Sequence, residues 1–179
     1  MKQVYYFQDL KFDKNKILSY MQSAEFKQTA NESVSIITSK EDDKNIFEEC
    51  IELNTIKNFF TKREIELFYI FVLTKIKSNS EIYTPPTFHS ETSDALNSIS
   101  RTFDIIIPLQ ADYPIFQTLI STGETYEIYD DGLAFMIPTG YDWKYHLKQG
   151  DSERFEIRIR AAEPLTYDLM KDIYTNDWS

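Results

Sequence analysis

Glycine and proline are missing from the first 84 residues; all four glycines (Gly123, Gly132, Gly140 and Gly150) and all six prolines (Pro85, Pro86, Pro108, Pro114, Pro138 and Pro164) come later. A first half without breakers suits helices and long regular elements, whereas a second half punctuated by them suits a many-stranded antiparallel sheet. Cysteine is nearly absent. The lone Cys50 excludes an internal disulfide and any cysteine-based zinc site, and the opening MKQVYYFQDLKFDKNK has no apolar stretch of the secretory kind, so a cytoplasmic, reducing compartment is expected. Long apolar runs are lacking too: FYIFVL at 68–73 falls far short of the roughly 20 residues that span a bilayer, so no membrane partner is expected. Basic residues are outnumbered, 19 Lys and Arg against 29 Asp and Glu, for a net charge of −10. Such a chain repels phosphate backbones, which argues against nucleic acid as a partner, and the surplus charge serves solubility.

What is present is a composition able to fold. Of 179 residues, 42% are hydrophobic and 15% aromatic, enough for one domain with a substantial core. Asp13 is placed to cap a helix over about 14–25, with Ile17, Leu18, Met21 and Ala24 on one face, and Val34–Thr38 reads as a strand. The apolar spacing of residues 46–60 predicts two short helices broken at Asn54-Thr55, and the continuously apolar 66–76 predicts a buried strand. From residue 85 onward turns alternate with the strand-like runs FDIIIPLQ, IFQTLIS, TYEIYDD, LAFMIPTG, DWKYHLKQG and RFEIRIRAA, the spacing of a barrel or jelly roll. In the last run Phe155, Ile157 and Ile159 share one face and Arg154, Glu156, Arg158 and Arg160 the other. The expected class is α+β: residues 1–84 a helical layer and first strands packed on the major sheet, 85–163 the core of a double-stranded β-helix of cupin-like type, and 164–179 a final helix. The charged face of the last strand then either meets solvent or lines the barrel interior.

Several chemistries are excluded by what the motifs lack. There is no G-x-S-x-G, no two glycines lie close enough to cradle a phosphate, and Cys50 falls within an apolar helical pattern, where a small buried residue is the simplest reading. Only two histidines exist, His89 and His146. The H-x-E of His89-Ser90-Glu91, together with His146, supplies two imidazoles and a carboxylate, the set that holds ferrous iron on one face and leaves coordination positions open. The simpler reading of His89 is a loop histidine beside a solvated acid, and of His146 a strand residue with a satisfied hydrogen bond.

The order of these features resembles the aspartyl/asparaginyl β-hydroxylase-like branch of the Fe(II)/2-oxoglutarate-dependent dioxygenases over roughly residues 60–162. The matching stretches are the Pro-containing turn TPPT, the H-x-acid, the strand RTFDIIIPLQ with its IPLQ, and H-x-x-x-G-D-x-x-R from His146 to Arg154. Glu91 stands where that family usually has aspartate, Asp104-Ile105 where an aromatic or histidine is common, and the turn after His146 is shortened. The resemblance implies that His89, Glu91 and His146 bind Fe(II), with Asp94 as an alternative carboxylate. It also implies that a last-strand arginine, Arg158 or Arg154, pairs with the distal carboxylate of 2-oxoglutarate, and that Arg101 helps bind co-substrate or substrate. The implied activity is hydroxylation coupled to decarboxylation of 2-oxoglutarate, and the cluster of arginines suggests a carboxylate-bearing or amino-acid-like small molecule or peptide as substrate. Arg160 pairing with Glu156 or Glu163 is an equal alternative for that residue. Two competing expectations are a non-catalytic barrel of the same fold acting as a binding or structural module, and a cupin-like metal protein that does not use 2-oxoglutarate. Neither the substrate nor the oligomeric state is legible.

Overall fold

The computed structural model describes residues 5–39, 45–62, 67–82, 102–119, 122–128, 133–139 and 143–162. The TPPT turn, His89, Glu91, Asp94, Arg101 and the expected final helix lie outside these residues.

Helix α1 runs Lys14–Ser23, and Asp13 caps it as expected, its carboxylate accepting the backbone N–H groups of Asn15 and Lys16. Two further helices follow, α2 (Ile46–Glu49) and α3 (Ile51–Thr61). The break falls at Cys50, not at Asn54-Thr55. Cys50 is extended, and the Asn54 side chain, instead of interrupting the helix, donates to the Phe47 carbonyl at 2.7 Å and holds the two segments together.

The strands are β1 (Tyr5–Phe7), β2 (Lys27–Gln28), β3 (Val34–Thr38), β4 (Leu67–Ile76), β5 (Glu81–Ile82), β6 (Thr102–Gln110), β7 (Ile115–Leu119), β8 (Thr125–Ile128), β9 (Ala134–Thr139), β10 (Trp143–Lys148) and β11 (Arg154–Ala162). They form an antiparallel seven-stranded sheet in the order β1-β9-β6-β11-β4-β3-β2 and a four-stranded sheet in the order β5-β10-β7-β8. Among the described residues no strand is common to both, so of the barrel or jelly roll expected from the turn spacing these strands form two antiparallel sheets that are not closed on each other. Among the described residues each sheet ends in strands of two to four residues.

Strand alternation sorts the buried side chains onto the two faces of the larger sheet. On one face Phe71, Leu73, Ile105, Ile107, Phe155, Ile157 and Ile159 cluster with Ile17 and Met21 of α1, Ile46 of α2, and Leu53, Ile56 and Phe60 of α3. On the other face Val34, Ile76, Ile106 and Phe135 meet Ile82, Ile115, Ile128 and Leu147 of the smaller sheet. Each such residue, fully withdrawn from water, contributes about 1.5–3 kcal/mol of burial free energy. β11 is central to this arrangement, paired with β4 on one side and β6 on the other.

Candidate functional site on the inner face of the last strand

The charged face of β11 neither meets solvent nor stays apolar. Arg158 is register-paired with Ile106 and Arg154 with Ile76, and both of those isoleucines face the smaller sheet. Arg154 and Glu156 are completely buried and Arg158 is 2% exposed. Of the two alternatives left open by the sequence, the interior is the one realised.

An unpaired charge at such depth would be prohibitive, and the strand resolves this with its own residues. Arg154 Nε donates to Glu156 Oε2 at 2.6 Å, and Arg158 Nε donates to Glu156 Oε1 at 2.5 Å. Period two places all three on one face, so the arginines approach the carboxylate from opposite sides. Burial pushes the Glu156 carboxyl upward, but the guanidiniums of Arg158 and Arg154 outweigh it and hold the group below its usual range. Both carboxylate oxygens are thereby engaged; the side chain of Arg160 lies outside the described ones.

Arg154 goes further. Its Nη1 donates to the Tyr113 carbonyl at 3.0 Å, while Nη2, equally buried, has no partner. Thr74, directly opposite Glu156 on β4, likewise has a buried hydroxyl without a partner. Buried polar groups are ordinarily satisfied, so an unsatisfied guanidinium nitrogen on an interior face fits an acceptor supplied from outside the protein. A carboxylate oxygen is the natural one.

The turn that delivers Arg154 is fixed by the H-x-x-x-G-D-x-x-R motif. Asp112, in the β6–β7 connection, accepts the Ser152 backbone N–H at 3.1 Å and its hydroxyl at 2.6 Å, bonds that hold the Asp112 carboxyl below its usual range. Gly150 is required by this contact, since a Cβ there would stand 2.7 Å from Asp112 Oδ2. The neighbouring turn after β4 joins in: Asn79 N–H donates to the Gly150 carbonyl at 2.7 Å and Gln149 N–H to the Ser80 carbonyl at 2.9 Å.

His146 lies elsewhere. Its neighbour Leu147 points into the core between the sheets, so alternation puts His146 on the opposite face of β10, 32% exposed and 2.6 Å from Glu81 Oε1 through Nε2. Its ring sits 5.9 Å from that of Phe116 on β7. The structure therefore brings Arg154 and Arg158 together and does not bring His146 to their face. Among the described residues, no three His, Cys, Asp or Glu side chains converge to hold a metal ion. The buried, unpartnered nitrogen of Arg154 fits a carboxylate. Sequence reasoning singled out both arginines but not Glu156 as the group that binds them. The signal was the R-x-E-x-R spacing itself, opposite charges at period two. Cys50 is buried at the α2–α3 junction, and burial pushes its thiol up, away from nucleophilic use.

No protein-family model matches the sequence, and no curated protein matches it. Solved structures do. A prolyl hydroxylase from Trichoplax adhaerens, in complex with a hypoxia inducible factor oxygen degradation domain peptide fragment, matches with a TM-score of 0.60 at 8% identity, over 90% of this chain and 84% of that one. HygX from Streptomyces hygroscopicus, with nickel and 2-oxoglutarate bound, matches with a TM-score of 0.55 at 7% identity, over 91% and 84%. The viral collagen prolyl hydroxylase of Paramecium Bursaria Chlorella virus-1, in its 2-oxoglutarate complex, gives 0.53 at 9%, over 90% and 96%. The chain thus shares the fold of these solved structures, a mixed α/β fold with antiparallel sheets. These likenesses do not single out the aspartyl/asparaginyl β-hydroxylase branch. No helix among the described residues is long and apolar enough to cross a membrane.

Proposed function

We propose that this chain is an Fe(II)- and 2-oxoglutarate-dependent oxygenase. The observation that carries the reading is Arg154: an arginine at the start of the last strand, wholly buried on the inner face, with one nitrogen lacking an acceptor. The fold shared with oxygenases solved in 2-oxoglutarate complexes supports it. In this reading Arg154 binds the distal carboxylate of 2-oxoglutarate through Nη2, and Arg158, held by Glu156, acts as structural counter-charge. Arg154 is preferred over Arg158 because it alone of the two has a buried nitrogen left unpaired. Ferrous iron would supply dioxygen activation, with His89, His146 and Glu91, or Asp94 in place of Glu91, as the ligands named by the resemblance. His146 as placed serves Glu81, and its part in the metal site is what its substitution decides. A carboxylate-bearing or amino-acid-like substrate then rests on Arg101, since Arg154 and Arg158 are committed.

A second reading, a non-catalytic module of the same fold, is favoured by one specific observation: His146 stands on the face of β10 away from the arginines. One experiment separates the two. Fe(II) and then 2-oxoglutarate are added anaerobically to the metal-free protein, and the weak visible charge-transfer band of a bound iron–oxoacid pair is followed in wild type, His89→Ala and His146→Ala. A band in wild type that is lost in His89→Ala supports the oxygenase. Its survival in His146→Ala removes that histidine from the ligand set. Absence of both band and bound iron in wild type establishes the second reading.

A further inference from the structure

Among the described side chains, the inner face of β11 holds the guanidiniums of Arg154 and Arg158 with the carboxylate of Glu156 between them. Glu156 takes the Nε of each arginine, and the Tyr113 carbonyl takes Nη1 of Arg154. Each of these contacts removes a place where an incoming anion could bind in the two-pronged manner usual for arginine. Nη2 of Arg154 is buried without a partner.

We propose that Glu156 is a positioning residue that fixes the guanidinium of Arg154 and so aims its buried, unpartnered Nη2 at an incoming carboxylate. The inference rests on the oxygenase reading and adds to it a residue that touches neither metal nor co-substrate. Thr74, buried and unpartnered across from Glu156, stands on that face as a second, neutral group for the bound oxygen. Without Glu156 the face would hold two uncompensated guanidiniums free to rotate, and a carboxylate would find either of them, in several poses.

The test is anaerobic calorimetric titration of the Fe(II)-loaded protein with 2-oxoglutarate, alongside thermal unfolding of the same samples. The variants are E156Q, the double substitution E156Q with R158M, and the exposed control E127Q. The double variant keeps Arg154 and removes the second guanidinium along with the carboxylate, which protects the test should E156Q alone fail to fold. Wild type and E127Q are expected to bind equally. The double variant is expected to weaken binding by about tenfold or more, the worth of one oriented charge-assisted hydrogen bond, while remaining folded at the titration temperature. A purely structural role would lower the unfolding temperature and leave affinity unchanged, and that result overturns the proposal while leaving the oxygenase reading intact. Binding by E156Q but not by wild type would show that Glu156 itself fills the anion site, overturning both. No binding by any form overturns the oxygenase reading and with it this inference.

Discussion

A carboxylate enclosed by two guanidiniums inside a protein is tolerable only while all three groups keep their charges, because removing one strands the others away from water. Glu156→Gln is therefore expected to cost about 3–5 kcal/mol near neutral pH, read from urea midpoints. The dependence on pH has a definite sign. The folded carboxyl is held below its unfolded value of about 4.3. Its stabilisation is fully present above that value and is lost as pH falls through the lower folded one. Stability measured from pH 5 downward should fall in wild type, with this component absent in Glu156→Gln. Gly150 is the second residue of consequence. Gly150→Ala would push a methyl carbon to 2.7 Å from Asp112 Oδ2 and is expected to cost about 1–3 kcal/mol. Asp112→Ala removes the obstructing carboxylate, so the two losses should fall short of additivity in a double-mutant cycle.

Elements were legible where a period or a cap wrote them into the chain. Asp13 announced α1, and its replacement by alanine should lower stability by about 1 kcal/mol in thermal unfolding, through loss of the bonds to Asn15 and Lys16. The alternation of β11 and the apolar run of β4 were readable because both strands are long and lie side by side at the centre of the sheet. Strands β1, β2 and β5 carried no such signal. Two or three residues cannot display a period, and their strand character comes from the partner they pair with. The α2–α3 break was misplaced for a related reason: Asn54 looks like a breaker in one dimension, yet in space its amide bonds back to Phe47. Propensity is local, and that bond is not.

For the whole molecule, the larger sheet has no exposed face at its centre, since one side meets the helices' apolar residues and the other the smaller sheet. Ile157→Ala, wholly buried and between β4 and β6, should cost about 2–5 kcal/mol in urea unfolding. The same layering explains why the candidate site was only half legible. Arg154 and Arg158 were visible from motif and parity, but whether their face was wet or buried depended on the smaller sheet covering it, which no local pattern reports. His146 shows the converse: the motif marks it, but the parity of Leu147, its neighbour in the core, turns it to the other face. His89, Glu91, Asp94 and Arg101 lie outside the described residues and stay with the resemblance.

The claim on which the rest depends is that the buried inner face of β11 is a 2-oxoglutarate site anchored by Arg154. Its most direct test is equilibrium binding of 2-oxoglutarate under anaerobic conditions with Fe(II), in wild type and in Arg154→Lys, which keeps the charge but not the planar fork. Saturable binding with a charge-transfer band in wild type, weakened by about tenfold or more in a folded Arg154→Lys, is the predicted result. Equal binding by both, or none by wild type, would contradict it.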